Sequence, residues 1–308
     1  MPNLAFPRPE SKYMPITEIA AALEALEANP ALTHKSSFSS RAEAQDELEI
    51  RVLDRLADLR AVGATADIRR LKSRAKALQA RFWALDQEIF ATLRATIRAG
   101  SYFPASLRAQ LLTLAGNISQ DGAPATHYDS LDVLTNGLFP VPAQLPAPEE
   151  RDPEMVYYQK TPARIILELA AKLTPKDVLY DLGSGLGQVP LLVQLLSGAT
   201  ARGIEIEPTY CRHAQACAHD LNLPQVQFQC ADVRTADYAD ATAFYLFTPF
   251  TGHIMQQVLA QLQALARQRP LRLFSYGPST EALRQQAWLQ RLDLGTHLYQ
   301  LAEFQSTQ

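Results

Sequence analysis

Apolar positions recur at three- and four-residue steps through the first hundred residues. Ile19, Leu23 and Leu26 share one face of a short helix that Asn29-Pro30 stops. Ser40 followed by Glu43 has the spacing of a capping box and predicts the start of a second helix, with Leu48, Val52, Leu56 and Leu59 in line. Gly63 breaks it. A third, longer helix carries Leu71, Ala75, Leu78, Phe82, Leu85, Ile89, Leu93 and Ile97 and ends near Gly100. That seam is coiled-coil-like, and the break at Gly63 makes an antiparallel helical hairpin the simplest arrangement. The same seam can instead join two copies of the chain as a homodimer through the N-terminal helices.

The helical period ends in a segment holding Pro140, Pro142, Pro146, Pro148 and Pro153. Such a segment cannot hold a helix and predicts a semi-rigid linker over 140–155, between an all-helical domain (1–139) and a second domain (156–308). Beyond it, short apolar strands alternate with amphipathic helices. The expected order is helix 162–173, strand 178–182, helix 188–196, strand 201–205, helix 209–222, strand 226–230, strand 243–247, helix 252–268 and strand 271–276. A helix from Ser279 and closing strands near 289–292 and 298–304 complete it. This alternation predicts an α/β domain with a doubly wound parallel sheet, whose ligands bind beyond the carboxyl ends of the strands.

Composition narrows the class. The chain has 308 residues, 47% of them apolar, and a net charge of −3, which suits two packed domains and excludes a disordered chain. Its best apolar run, around Val189–Val193, soon meets Gln194, far short of the roughly 18 residues of a membrane span, so no membrane is expected. The first residues lack the basic flank and apolar stretch of a secretory signal. Three cysteines, Cys211, Cys217 and Cys230, make no disulfide framework and read as reduced thiols of a cytoplasmic protein. Arg69, Arg70, Lys72, Arg74, Lys76 and Arg81 crowd one helical stretch. They read as a solvated face, with docking of an acidic partner as the alternative; the near-neutral whole argues against a nucleic-acid binder.

One stretch carries the candidate chemistry. Val178–Leu182 is an apolar strand containing Asp181, and it runs into Gly183-Ser184-Gly185-Leu186-Gly187-Gln188 before a helix. Its glycines let the backbone approach a ligand closely, and the helix offers unpaired N–H groups at its start. A dinucleotide loop wants glycine at the sixth position, where Gln188 stands. Asp181 would repel a pyrophosphate and attract a cation, so the loop favours S-adenosylmethionine, which carries a sulfonium and no phosphate, over a nicotinamide dinucleotide. Glu205, at the next strand end, is placed to accept from both ribose hydroxyls, with Glu207 as the fallback. Asp232, after the third strand, is placed to reach the adenine amino group.

Asp181 to Gln188, Glu205 and Asp232 resemble the signature of the class I, seven-strand S-adenosylmethionine-dependent methyltransferases. The resemblance spans roughly Met155 to the C-terminus. It implies a Rossmann-like sheet in the order 3-2-1-4-5-7-6, the seventh strand antiparallel, and methyl transfer from the cofactor. The string Asp181–Val189 is also similar to the loop of the non-SET, disruptor-of-telomeric-silencing type of protein-lysine methyltransferase. Tyr158 and Thr161 match a tyrosine–threonine spacing of that group, which implies a place for both near the methionine end of the cofactor. Thr161-Pro162 is equally an ordinary helix start. Where amine methyltransferases often carry Asn or Asp before Pro and an aromatic, this chain has Thr248-Pro249-Phe250. Thr248 is then expected to orient the acceptor and Phe250 to wall the site. The acceptor, a protein or a small molecule, stays open, as does a cofactor-binding scaffold acting through its helical half.

His253, just after Phe250, and Tyr276, at the fifth strand's end, are secondary candidates for a base and a pocket wall; a helix-turn polar residue and a packed ring are the plainer readings. His213 and Cys217 share a helix face and His219 lies on the other, leaving too few ligands for a structural metal site.

Overall fold

The computed structural model describes residues 14–62, 65–116, 128–139 and 153–307. The chain forms two compact units, residues 1–91 and 92–308. The expected break at Gly63 and the Pro-rich stretch 140–152 lie outside the described residues.

In the first unit, α1 (Ile16–Ala28) buries Ile19, Leu23 and Leu26, as its period requires. The second helix, α2 (Phe38–Glu47), begins two residues before the expected cap, so Ser40 lies inside it and no side chain caps its start. Phe38 explains the early start: it is fully buried and stands edge-on to Phe90 at 5.8 Å. A π-helical stretch, Leu48–Leu53, leads into α3 (Asp54–Val62). The long α4 (Ala66–Arg98) buries Leu71, Ala75, Leu78 and Phe82 in the same core as Leu48, Val52 and Leu56. Gln45 reaches Asp86 while Glu49 reaches Gln79, so the pairing runs in opposite directions along the two strings of residues: the hairpin is antiparallel. At its centre Arg41, 0% exposed, donates to Asp86 at 2.8 Å.

In the second unit, α5 (Pro104–Ala115) and α6 (Ser130–Leu138) precede α7 (Ala163–Ala171). α5 packs against α6 and against the helix that follows the glycine-rich loop, and α6 packs on α7. These two helices, which the sequence pattern did not single out, fall within the unit that carries the sheet. Asp132 of α6 accepts the Ala163 N–H at 2.8 Å, which fastens α6 to the first residue of α7. Pro162 sits at the N-cap of α7 rather than inside it, and α7 ends at Ala171, two residues before the expected stop.

The alternating half folds as its pattern requires. β1 (Val178–Leu182), α8 (Gln188–Ser197), β2 (Thr200–Glu205), α9 (Pro208–Asp220) and β3 (Val226–Cys230) follow in turn. β4 (Ala243–Leu246), α10 (Gly252–Ala266), β5 (Arg272–Ser275), α11 (Ser279–Arg284), β6 (Leu289–Arg291) and β7 (Ala302–Ser306) complete the unit. The sheet order is β3-β2-β1-β4-β5-β7-β6, with β7 antiparallel to both neighbours. The last strand lies four residues later than expected at its start, because Leu298–Leu301 approach the sheet as loop. β1 and β4 are almost wholly buried, so their near-continuous apolar runs are those of central strands covered on both faces. Order reverses between β1 and β4, which sets the ligand crevice above Leu182 and Leu246.

Candidate active site

A cavity of about 580 Å³ opens at this switch point. It brings together most of the residues singled out from the sequence: Gly183 and Gly185 of the loop, Glu205 after β2, Asp232 after β3, and Thr248 and Phe250 after β4. Tyr158 closes it from the segment before α7, and Glu207 lines it too. Thr161, Asp181, Ser184, Gly187 and Gln188 stand behind this lining, all at or near full burial.

Glu205 is the pivot. One carboxylate oxygen accepts the Gly185 N–H at 2.7 Å and the other accepts the Glu207 N–H at 2.8 Å. The side chain thereby ties the glycine loop to the end of β2. A carboxylate has about four acceptor positions, so lone pairs remain for a ligand's hydroxyls. Burial raises its pKa above the usual carboxylate value, and the two amide donors work against that rise. Asp181 is 4% exposed and pushed well above the ordinary range, first by burial and then by the negative charge of Glu205. Two desolvated carboxyls, Glu205 in the cavity wall and Asp181 behind it, favour a cationic ligand that restores their charge.

Gly185, at φ +54°, carries the aromatic lid of the site. A Cβ there would overlap the Tyr158 ring, which also leans on Tyr210 at 5.6 Å between centroids. Burial and surrounding acids and phenols raise the Tyr158 pKa, so its hydroxyl keeps its proton. Thr161 is buried, with its hydroxyl 3.2 Å from that of Tyr245. The Gln188 side chain faces α6, donating to Thr135 at 3.2 Å, and Ser184 is directed at Gly203. Glu207 caps α9 by accepting the Thr209 N–H at 3.2 Å.

Asp232 is held by Arg234, whose guanidinium and backbone N–H both donate to it; the Arg234 hydrogen bonds hold the carboxyl below its usual pKa. The sequence reading missed this arginine, although its position two residues on was a usable signal. It also missed Tyr210 and Arg212, which line the cavity from the first turns of α9.

At the far side, Thr248 occupies the left-handed region at φ 41°. Its N–H donates to Ser279 Oγ at 2.8 Å. Tyr276 is buried, edge-on to Phe247 at 4.8 Å, and burial pushes its hydroxyl up to about 12. His253 is exposed in the first turn of α10 and does not line the cavity. His213 Nε2 and Cys217 Sγ lie 3.4 Å apart, and among the described residues no group of three His, Cys, Asp or Glu is placed to hold a metal ion. Among the described residues, no helix is long and apolar enough to cross a membrane.

No family model matches the chain, and no curated protein matches it. Among solved structures it is similar to an RNA methyltransferase from Salinibacter ruber in complex with S-adenosyl-L-homocysteine, at 25% identity over 49% of this chain and 92% of the other, with a TM-score of 0.35. It is also similar to magnesium protoporphyrin IX methyltransferase from Synechocystis PCC 6803, at 15% identity over 47% and 76% of the two chains, TM-score 0.36. A third is geranyl diphosphate C-methyltransferase from Streptomyces coelicolor A3(2), at 14% identity over 40% and 49%, TM-score 0.29. The strand order, with its single antiparallel strand, is that of the class I S-adenosylmethionine-dependent methyltransferase fold.

Proposed function

We propose that this chain binds S-adenosylmethionine in the switch-point cavity and transfers its methyl group to a nucleophilic acceptor. The observation that carries the reading is the pair of desolvated carboxyls, Glu205 in the wall and Asp181 behind it, at a glycine-lined cavity large enough for a nucleoside. Glu205 would hold the ribose hydroxyls, Asp232 the adenine edge, and the Gly183–Gly185 backbone the amino-acid end. When bound, the cofactor supplies a methyl group on a good leaving group. The chain then has to position, desolvate and keep water out, which Tyr158, Thr248 and Phe250 are placed to do.

An amine is the acceptor class that these surroundings favour, with a protein lysine ahead of a small molecule. Among the described residues no histidine lines the cavity, and the carboxyls that do are taken up by the ribose, by Arg234 and by the start of α9, so a hydroxyl acceptor finds no free base beside it. An amine needs no such base, since it loses its proton to solvent before entering an aromatic, dry site. The lysine preference rests on the similarity of the Asp181–Val189 loop and the Tyr158/Thr161 spacing. Thr248, in place of an amide or acid, favours a second reading, a cofactor-binding scaffold that works through its helices.

Calorimetry with S-adenosylhomocysteine and with NAD tests the first step: binding of the former alone is expected. Transfer of labelled methyl to the protein, nucleic-acid or small-molecule fraction of a lysate tests the second. Label in the protein fraction, on lysine, is the expected outcome; binding without any transfer would leave the scaffold reading standing.

A further inference from the structure

The segment that carries Tyr158 is built into the acceptor-side loop over a short span. The Met155 backbone bridges to Phe250, the Val156 N–H donates to the Pro249 carbonyl at 3.2 Å, and the Thr251 N–H donates to the Glu154 carbonyl at 2.8 Å. The Glu154 side chain finishes the joint. Its two oxygens accept the N–H groups of His253 at 2.9 Å and Ile254 at 2.8 Å, so a residue about a hundred positions away caps the start of α10. Gly252, at φ +53°, makes room: a Cβ there would overlap the Glu154 carboxylate. Four residues further on, the Tyr158 ring rests on Gly185.

We infer that Glu154 is a positioning residue for the cofactor site, acting through Tyr158. It is not among the described residues that line the cavity. Its carboxylate pins one end of a five-residue strap to α10, and the other end is the phenol ring lying on the glycine loop. The same joint fixes Pro249 and Phe250 from outside. One carboxylate therefore registers the acceptor-side loop and the cofactor lid against each other. With the cap gone, the helix start regains its N–H partners from water, while the strap loses both hydrogen bonds from the Glu154 carboxylate to α10 and Tyr158 samples positions off Gly185. The inference rests on the proposal that the cavity holds S-adenosylmethionine.

The test is a double-mutant cycle on the full chain, read by calorimetric binding of S-adenosylhomocysteine and by thermal melting. Wild type is titrated first; an absence of binding there refutes the cofactor reading itself and is seen before any variant is made. Given binding, Glu154→Ala is expected to weaken affinity about tenfold. Tyr158→Ala is expected to weaken it at least as much, and the double variant no more than Tyr158→Ala alone, because both act on one element. Gly252→Ala, which displaces the carboxylate without removing it, is expected to reproduce the Glu154→Ala affinity loss. A cap that merely stabilises α10 would lower the melting temperature and leave affinity unchanged. That result, or additive losses in the double variant, overturns the inference.

Discussion

Thr248 and Ser279 hold each other by a reciprocal pair of hydrogen bonds: the Thr248 N–H donates to Ser279 Oγ at 2.8 Å, and the Ser279 N–H donates to Thr248 Oγ1 at 3.3 Å. A β-branched residue at φ 41° is strained, and such a residue persists only where its surroundings over-determine it. Here the surroundings are the buried first residue of α11, locked to the loop that carries Phe250. Asn or Asp would enter this backbone region more readily than Thr. The departure at position 248 is therefore one of backbone cost as well as of side-chain chemistry.

Strain of this kind inverts the usual ranking of small residues. Both Thr248→Gly and Thr248→Ala lose the hydroxyl, but only glycine adopts a positive φ freely. Thr248→Gly is expected to be more stable than Thr248→Ala by about 1 kcal/mol, where an ordinary loop position would show the opposite order. Equilibrium urea unfolding of the two variants measures the difference directly.

Removing Glu205 takes away a ligand partner and a brace of the glycine loop at once. Glu205→Ala is expected to cost on the order of 2 kcal/mol in S-adenosylhomocysteine binding, the worth of charge-assisted hydrogen bonds. Isothermal titration reads it; an unchanged affinity would move the ribose elsewhere.

The raised pKa values of Asp181 and Glu205 give cofactor binding a pH dependence of definite sign. As pH falls through the raised range the carboxyls take up protons, and the charge that attracts a sulfonium disappears. Affinity for S-adenosylmethionine is expected to rise with pH above the ordinary carboxylate range, with protons released on binding. S-adenosylhomocysteine, which lacks the sulfonium charge, should show a shallower slope. Titrations in buffers of differing ionisation enthalpy count the protons.

The N-terminal unit has its own test in Arg41 and Asp86. Arg41 is fully buried and donates to Asp86 and to the carbonyl of His34. Asp86→Ala leaves a buried charge unpaired and is expected to destabilise this unit by about 3–5 kcal/mol. Urea unfolding followed by helical circular dichroism reads the loss.

Sheet strands and the glycine-rich loop were legible in the sequence because each obeys a local rule. β1 and β3 fall at their expected limits, since an apolar run bounded by polar turns leaves little freedom in placing an end. Glu205 and Asp232 were found for the same reason: strand ends at a switch point converge whatever the loops do. Features that depend on distant pairings were not legible. Arg41 reads locally as one more cation on a helix, and it is Asp86, forty-five residues away, that supplies the opposite charge a buried guanidinium needs. Glu154 reads as part of a Pro-rich linker until α10 is beside it. The partnership of α5 and α6 with α7 and α8 was missed because a helix's own pattern shows that it has an apolar face and not which neighbour covers it.

That last partnership governs how the chain can be divided for experiment. A fragment cut at the Pro-rich stretch would keep every strand and the whole glycine loop yet shed the two helices that cover α7 and α8. Gln188 would lose Thr135, and Ala163 would lose the carboxylate that receives its amide. Such a truncation should bare apolar surface and aggregate, whereas one that retains α5 and α6 keeps the sheet clothed on that face.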